Sequence, residues 1–164
     1  MVINKILVAL DRSEQAQVVF EQALELAKKL ASSLLLFNCL DWEEEGEISS
    51  FIEVGTLADI GRSETAKQLR HESLQKDIEQ VKSLLQIYCQ QAQNQGVDTE
   101  VDCKVGDPGS RICNLAKSWG ADLIILGRRG HKGIAEMFLG SISNHVVHNA
   151  PCSVFVVQGL INSK

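Results

Sequence analysis

A glycine-rich, basic segment near the C-terminal end carries the residue types that could bind an anion. It reads GRRGHKG over residues 127–133, and Gly140 and Ser141 follow shortly after it. Glycines let backbone N–H groups approach an anion closely. Gly140 and Ser141 stand where a helix is predicted to begin, so unpaired N–H groups and the positive end of the helix dipole would be available there. Positive charge comes from Arg128, Arg129 and Lys132, and together these parts could form a phosphate cradle.

The segment matches neither of the two common phosphate-binding motifs. The pattern GxxxxGK[ST] of P-loops is absent, and no GxGxxG follows the first predicted strand. On the residues alone, two interpretations therefore remain open, a phosphate site and a flexible connection.

Alternating apolar runs and helical patterns predict the elements that position this segment. Continuous apolar runs at 6–10, 34–37, 123–126 and 154–157 indicate strands, and the strict alternation over 97–105 indicates a half-exposed one. Helices are predicted from Ser13 (as N-cap) to Leu30, from Leu74 to about Gly96, from Asp107-Pro108 to Gly120, and from Ser141 to about Pro151. Residues 41–63 are interpreted as a long surface connection, with a short helix around 48–57.

These elements predict one doubly wound α/β domain, a five-stranded parallel sheet of order 3-2-1-4-5 with helices on both faces. The strand over 97–105 belongs at an edge because one of its faces is polar, and right-handed crossovers then favour that order. The winding reverses between the first and fourth strands, so the ligand crevice is expected at their carboxyl ends. Asp11 follows the first strand and Gly127 the fourth, which places the basic segment at the crevice. The domain is predicted over 1–158, with a tail over 159–164.

Composition limits the class of function. Sixteen basic and 21 acidic residues give a net charge of -5 over 164 residues, which argues against a protein that binds polymeric nucleic acid. No apolar run reaches 18 residues and no signal peptide is evident, which predicts a cytoplasmic protein away from membranes. Five scattered cysteines without CxxC predict reduced thiols and no zinc site.

The spacing Gly127-x2-Gly130-x9-Gly140-Ser141 resembles the nucleotide-binding motif of the universal stress protein family, in its ATP-binding branch. The resemblance covers nearly the whole chain. The opening ILVALDRSE is similar to the first strand and turn of that family, and Gly106-Asp-Pro to the turn after its third strand. ADLIILG at 121–127 and APCSVFVV at 150–157 are similar to its last two strands.

This resemblance implies ATP as the ligand and assigns roles to residues by position. Phosphates and ribose would lie against the glycine loop and the helix start, at Gly127, Arg129, Gly130, Gly140, Ser141, Ile142 and Ser143. The nucleoside would contact Leu126, Cys39, Ala9 and Asp11. A Mg²⁺ or Mn²⁺ ion would be held mainly by the phosphates. The resemblance also implies a homodimer formed through the last strand, Val154, Phe155, Val156 and Val157.

Three departures from the family pattern leave the ligand open. A cysteine stands at position 39, Asn38 stands where a histidine is common, and Arg128-Arg129 makes the loop more basic than is usual in the family. A cyclic dinucleotide is an alternative ligand.

The favoured function is a nucleotide-dependent sensor or regulatory module in a stress response, which acts through an unidentified protein partner. A slow ATP hydrolase or phosphotransferase is the second hypothesis, with Arg129, His131 or Lys132 as a charge clamp and Asp11 as a candidate base. A dimer scaffold that binds nothing is the third.

Overall fold

The computed structural model describes residues 2–41, 64–128 and 139–158. In chain order the elements are β1 (Lys5–Ala9), α1 (Gln15–Leu30), β2 (Ser33–Leu40), α2 (Glu64–Asn94), β3 (Thr99–Val105), α3 (Pro108–Trp119), β4 (Leu123–Gly127), α4 (Ser141–Asn149) and β5 (Ser153–Val157). The short helix predicted around 48–57 and the tail over 159–164 lie outside the described residues.

The sheet has the predicted topology. Its five strands are parallel and run in the order β3-β2-β1-β4-β5. Ile6 in the central strand β1 pairs with Leu34 of β2 on one side and Leu123 of β4 on the other. The sheet is therefore wound outward in both directions from β1, and a crevice opens between the carboxyl ends of β1 and β4.

Apolar side chains on the two faces of the sheet form two separate cores. Ile6 and Val8 pack with buried residues of α1 and α2, such as Phe20 and Leu85. On the other face, Leu7 packs with buried residues of α3 and α4, among them Ile112 and Val146. The continuous apolar runs of β1, β2 and β4 thus supply both cores, as expected for strands covered on both faces.

The two edge strands differ in composition. β3 is exposed at Glu100 and Lys104, whereas Val101 and Cys103 pack against the α1–α2 core. At the opposite edge, β5 exposes 42% of Phe155. The first edge is protected by charge and the second presents an apolar side chain.

Helix α3 begins and ends as the sequence predicts. Asp107 is its N-cap, and the carboxylate accepts a hydrogen bond from the Ser110 N–H at 2.8 Å. Hydrogen bonds from Ser110 hold the pKa of Asp107 below its usual value. The helix ends at Gly120, which has a φ of 74°.

The predicted N-cap of α1 is wrong. The helix begins at Gln15, with Glu14 at the N-cap position and no side-chain cap. Ser13 instead donates its hydroxyl to Asp11 Oδ1 at 2.6 Å. Ser13 therefore stabilises the turn that precedes the helix rather than the helix itself.

The long helix α2 starts ten residues before its predicted apolar stripe. Its stripe residues Val81, Leu85 and Ala92 are buried as expected, and Gly96 follows its end with a φ of 82°. No helix among the described residues is long and apolar enough to cross a membrane.

Candidate functional site

A pocket opens at the carboxyl ends of β1, β2 and β4, where the sheet topology predicts a crevice. Seven of the predicted site residues line it: Ala9, Asp11, Cys39, Leu126, Gly127, Ile142 and Ser143. They come from three strand ends and the start of α4. The fold therefore brings together residues that are up to 134 positions apart in the sequence.

The remaining predicted site residues have different placements. Gly140 and Ser141 directly precede the lining residue Ile142 at the start of α4. Arg129 and Gly130, together with His131 and Lys132, lie outside the described residues. The described pocket therefore contains the residues expected to contact a nucleoside, together with residues from the first turn of α4.

Hydrogen bonds fix the turn after β1 against β2. The Leu10 N–H donates to the Phe37 carbonyl at 2.9 Å, and the Leu10 carbonyl accepts from Asn38 Nδ2 at 2.7 Å. Asp11 Oδ1 accepts from the Ser13 N–H at 3.0 Å as well as from its hydroxyl. The candidate general base therefore has one carboxylate oxygen committed to the turn, which favours a structural role for Asp11.

Two hydrogen bonds join the end of β4 to the start of α4. The Ser143 hydroxyl donates to the Gly127 carbonyl at 2.7 Å, and the Gly140 N–H donates to the Arg128 carbonyl at 3.0 Å. The chain therefore leaves β4 and returns to α4 at the same place. The buried Ser143 hydroxyl, predicted to touch a ligand, holds this junction together.

The first turn of α4 presents backbone amides that the helix does not use. The first intrahelical bond runs from the Asn144 N–H to the Gly140 carbonyl at 2.8 Å. The amides of Ser141, Ile142 and Ser143 precede it and have no carbonyl partner within the helix. Gly140 supplies no side-chain cap. A helix start of this kind is a suitable place for a phosphate group, since the helix dipole adds to the hydrogen bonds.

One of the three predicted basic residues, Arg128, has a hydrogen-bond partner within the described residues. The Arg128 guanidinium donates to Gln158 Oε1 at 3.1 Å, just beyond the end of β5.

Cys39 contributes an uncharged thiol to the pocket wall. Burial raises its pKa to about 12, with a smaller opposing effect from the Arg111 guanidinium. Its sulfur also donates to the Gly106 carbonyl at 3.4 Å. The thiol is thus protonated at neutral pH, which is typical of a small apolar side chain rather than a redox centre.

Several residues of the pocket wall were not predicted from the sequence. Two of them are polar amides: Gln15 begins α1, and Asn38 is buried near the end of the otherwise apolar strand β2. The others are Leu10, Ser13, Ala16, Val19, Phe37, Pro108 and Ile112. Asn38 was noted in the sequence as a departure from the family pattern, and as the polar residue within the apolar run 34–40 it could also have been predicted to line the pocket.

The described residues do not form a metal centre of their own. No group of three or more His, Cys, Asp or Glu side chains within 2–41, 64–128 and 139–158 is placed to hold a metal ion. Asp11 is the only carboxylate among the residues lining the described pocket.

Comparison with known proteins gives a consistent picture. The sequence profile described as the universal stress protein family matches residues 3–158. Universal stress protein Sll1388 of Synechocystis is 45% identical over 155 residues, which cover 94% of this chain and 97% of that protein.

Solved structures of universal stress proteins share the fold. UspA from Lactobacillus plantarum superimposes with a TM-score of 0.76 at 23% identity, over 96% of this chain and 99% of that one. Two others were solved with nucleotides. One was solved with cAMP, at a TM-score of 0.61 and 18% identity over 96% and 98% of the two chains. The protein from Archaeoglobus fulgidus was solved with dAMP, at a TM-score of 0.61 and 20% identity over 95% and 98%.

Proposed function

Because the chain belongs to the universal stress protein family, we propose that it is an ATP-binding regulatory module in a stress response. The observation that carries the proposal is the pocket at the switch point of the sheet, with the first-turn amides of α4, which the helix does not use, beside it. In an open α/β sheet this is where ligands bind. That two relatives of the same fold were solved with adenine nucleotides supports the choice of ligand.

The proposed arrangement divides the ligand between two parts of the site. The base and ribose occupy the described pocket, against Ala9, Asp11, Cys39 and Leu126. The phosphates lie against the start of α4 and the segment that contains Arg129 and Gly130. A Mg²⁺ or Mn²⁺ ion is held mainly by the phosphates, because Asp11 is the only carboxylate in the described wall. The proposed domain covers 1–158, with 159–164 as a tail.

Regulation rather than catalysis is the proposed output. Phosphoryl transfer to water needs a residue that orients the attacking water. Asp11 is the candidate in the described pocket, and its Oδ1 accepts two hydrogen bonds from Ser13. The protein is accordingly proposed to respond to cytoplasmic ATP through an altered surface that a protein partner recognises.

The test is to purify the protein without added nucleotide, denature it and chromatograph what is released. Intact ATP, together with a melting temperature that rises on addition of ATP, is the expected result. Mainly ADP, with continued phosphate release on addition of ATP, would instead identify an enzyme. An empty protein whose melting temperature ignores ATP would refute both functions.

We further propose that the module is a homodimer formed through β5. A parallel edge strand has unpaired backbone groups, and Phe155 adds an exposed apolar side chain there. In a twofold-symmetric dimer the two β5 edges would lie against each other and cover both the backbone groups and Phe155.

Phe155→Lys is expected to convert the dimer to a monomer, since a charged side chain on an edge strand opposes strand pairing. Light scattering coupled to size-exclusion chromatography should then give half the wild-type mass. Ile87→Lys is the matched control, because Ile87 is 65% exposed on α2, away from β5, and its replacement should leave the mass unchanged. A monomeric wild type, or a dimeric Phe155→Lys variant, would exclude this interface.

A further inference from the structure

Two of the five cysteines lie on one face of the sheet, beneath α3 and α4. Cys113 is in the middle of α3, and Cys152 immediately precedes β5. Both thiols are free and half-buried, and both side chains pack against the core on that face. Neither lines the described pocket. Any chemistry of this pair is therefore additional to the proposed nucleotide site.

The strand register fixes the direction of the Cys152 side chain. The next residue, Ser153, is the first of β5 and pairs with Leu123 at the amino end of β4. Side chains alternate between the two faces of a sheet, so Cys152 lies on the same face as Val154. Val154 packs against the core under α3 and α4. Cys152 therefore faces these two helices at the amino edge of the sheet.

Helix packing brings Cys113 toward the same place. Both α3 and α4 run from the carboxyl edge of the sheet to its amino edge, because each connects two parallel strands. A Cβ atom on Gly109 would lie 2.8 Å from the His145 ring, so these residues face each other across the two helices. One turn further along, Cys113 and Asn149 occupy the corresponding positions. Cys152 follows Asn149 by three residues.

The electrostatics of the two thiols agree with this placement. Burial is the main cause that raises the pKa of Cys152, and charges on Asp122 and Cys113 raise it further. A charge on Cys113 acts on Cys152 only over a short distance, since water and salt screen it. The two sulfurs are therefore close to each other.

The three other cysteines are not placed to pair with Cys152. Cys39 on β2 and Cys103 on β3 are three and four strand positions away from β5. Neighbouring strands are about 4.8 Å apart, whereas a disulfide joins Cα atoms only about 4.4–6.8 Å apart. Cys89 is buried in the core on the opposite face of the sheet. Cys113 is thus the partner that the fold offers to Cys152.

We propose that Cys113 and Cys152 are a redox-responsive thiol pair that closes a disulfide on exposure to hydrogen peroxide, joining α3 to the start of β5 across the end of α4. One thiolate attacks a peroxide oxygen, the O–O bond breaks, and the sulfur becomes a sulfenic acid with release of one water. The second sulfur then attacks the sulfenic sulfur, the S–S bond forms, and a second water leaves. Two thiols and one peroxide thus give one disulfide and two waters.

The reaction is expected to be slow at neutral pH. Burial raises the pKa of both Cys113 and Cys152, so only a small fraction of either thiol is the reactive thiolate. The pair therefore responds to sustained rather than brief oxidation, and an added thiol such as dithiothreitol reverses it.

Tryptic peptides distinguish this disulfide from every other pairing of the five cysteines. Cys113 falls in the peptide 112–117 and Cys152 in 133–164, whereas Cys39 falls in 30–62 and Cys89 and Cys103 share 83–104. The folded protein is treated with hydrogen peroxide without nucleotide, its remaining thiols are alkylated, and the digest is analysed by mass spectrometry. The expected product is 112–117 linked to 133–164, which dithiothreitol separates.

Serine variants assign the product to the pair. Cys113→Ser and Cys152→Ser should each abolish the linked peptide. Cys103→Ser is the matched control, because Cys103 is also half-buried but packs against the opposite core, so the linked peptide should persist. The oxidised wild type should melt roughly 5–10 °C above the reduced protein, because the link constrains the unfolded chain. Neither Cys113→Ser nor Cys152→Ser should show this rise.

The outcomes decide the inference without reference to nucleotide binding. The linked peptide from a product that migrates as a single chain on a non-reducing gel, with the higher melting temperature, supports it. Oxidation of the two cysteines to sulfinic acid without a link overturns it, as does a link between two chains. A link that lowers the melting temperature also overturns it, because the folded domain would then have to distort to form the bond.

Discussion

Replacing Gly140 by valine is expected to abolish the rise in melting temperature that ATP produces, while the unliganded protein keeps nearly the wild-type value. Gly140 has φ -60° and ψ 159°, a conformation open to every residue type. The backbone can therefore accept valine and keep its hydrogen bond to the Arg128 carbonyl. The added methyl groups would lie beside the first-turn amides of α4, which have no partner within the helix, where a phosphate has to approach.

The size of this effect follows from ligand linkage. At an ATP concentration one hundred times the dissociation constant, binding stabilises the folded state by about 2.7 kcal/mol, and this amount should be lost. Differential scanning fluorimetry over an ATP titration measures it, and Gly140→Ala should fall between wild type and Gly140→Val. An unchanged ATP response in Gly140→Val would show that the phosphates do not lie against this helix start.

Gly109→Ala is expected to destabilise the fold through the contact between α3 and α4. A Cβ atom at Gly109 would lie 2.8 Å from both Cγ and Cδ2 of the His145 ring. Overpacking of this kind costs about 1–3 kcal/mol, and better helix propensity returns at most about 1 kcal/mol. We therefore expect a net loss of up to about 3 kcal/mol in the free energy of unfolding, measurable by urea denaturation.

A second substitution separates this clash from other causes. His145→Ala removes the ring, so the double variant Gly109→Ala/His145→Ala should recover most of the loss relative to His145→Ala alone. Gly96→Ala provides the control: it has a φ of 82° and open space around it, so its cost comes from the backbone and His145→Ala should not relieve it. If Gly109→Ala were as stable as wild type, α3 and α4 would have to separate easily.

Both helices line the pocket, through Pro108 and Ile142 among others, so ATP binding should weaken along with stability.

The order of the strands could be predicted from the sequence because the pattern of apolar and polar residues indicates how far each strand is buried. β1 and β4 are continuous apolar runs and β3 alternates, which was enough to place them at the centre and at an edge. The first turns of α2 could not be predicted, since described residues there such as Lys67 and Glu72 are exposed and leave no apolar period to detect.

The parts of the site whose position follows from the sheet topology could be predicted. The hydrogen-bond partners of side-chain amides and hydroxyls could not. Asp11 and Gly127 follow strands whose carboxyl ends must meet at the switch point. By contrast, the partners of the Ser143 hydroxyl and of the Asn38 amide nitrogen depend on which carbonyl lies within about 3 Å. Sequence spacing holds no information at that scale, and the Ser13 hydroxyl was misassigned for the same reason.

The bond between the Gly140 N–H and the Arg128 carbonyl has a consequence for how such a domain could change over evolution. This bond holds the two ends of the connection together, so it fixes the distance between the end of β4 and the start of α4. Lengthening a connection whose ends are already held costs little free energy, because the entropy of loop closure grows only slowly with length. The length of the connection between Arg128 and Gly140 can therefore change at little cost in stability, while the two chain ends that it joins at the pocket stay in place.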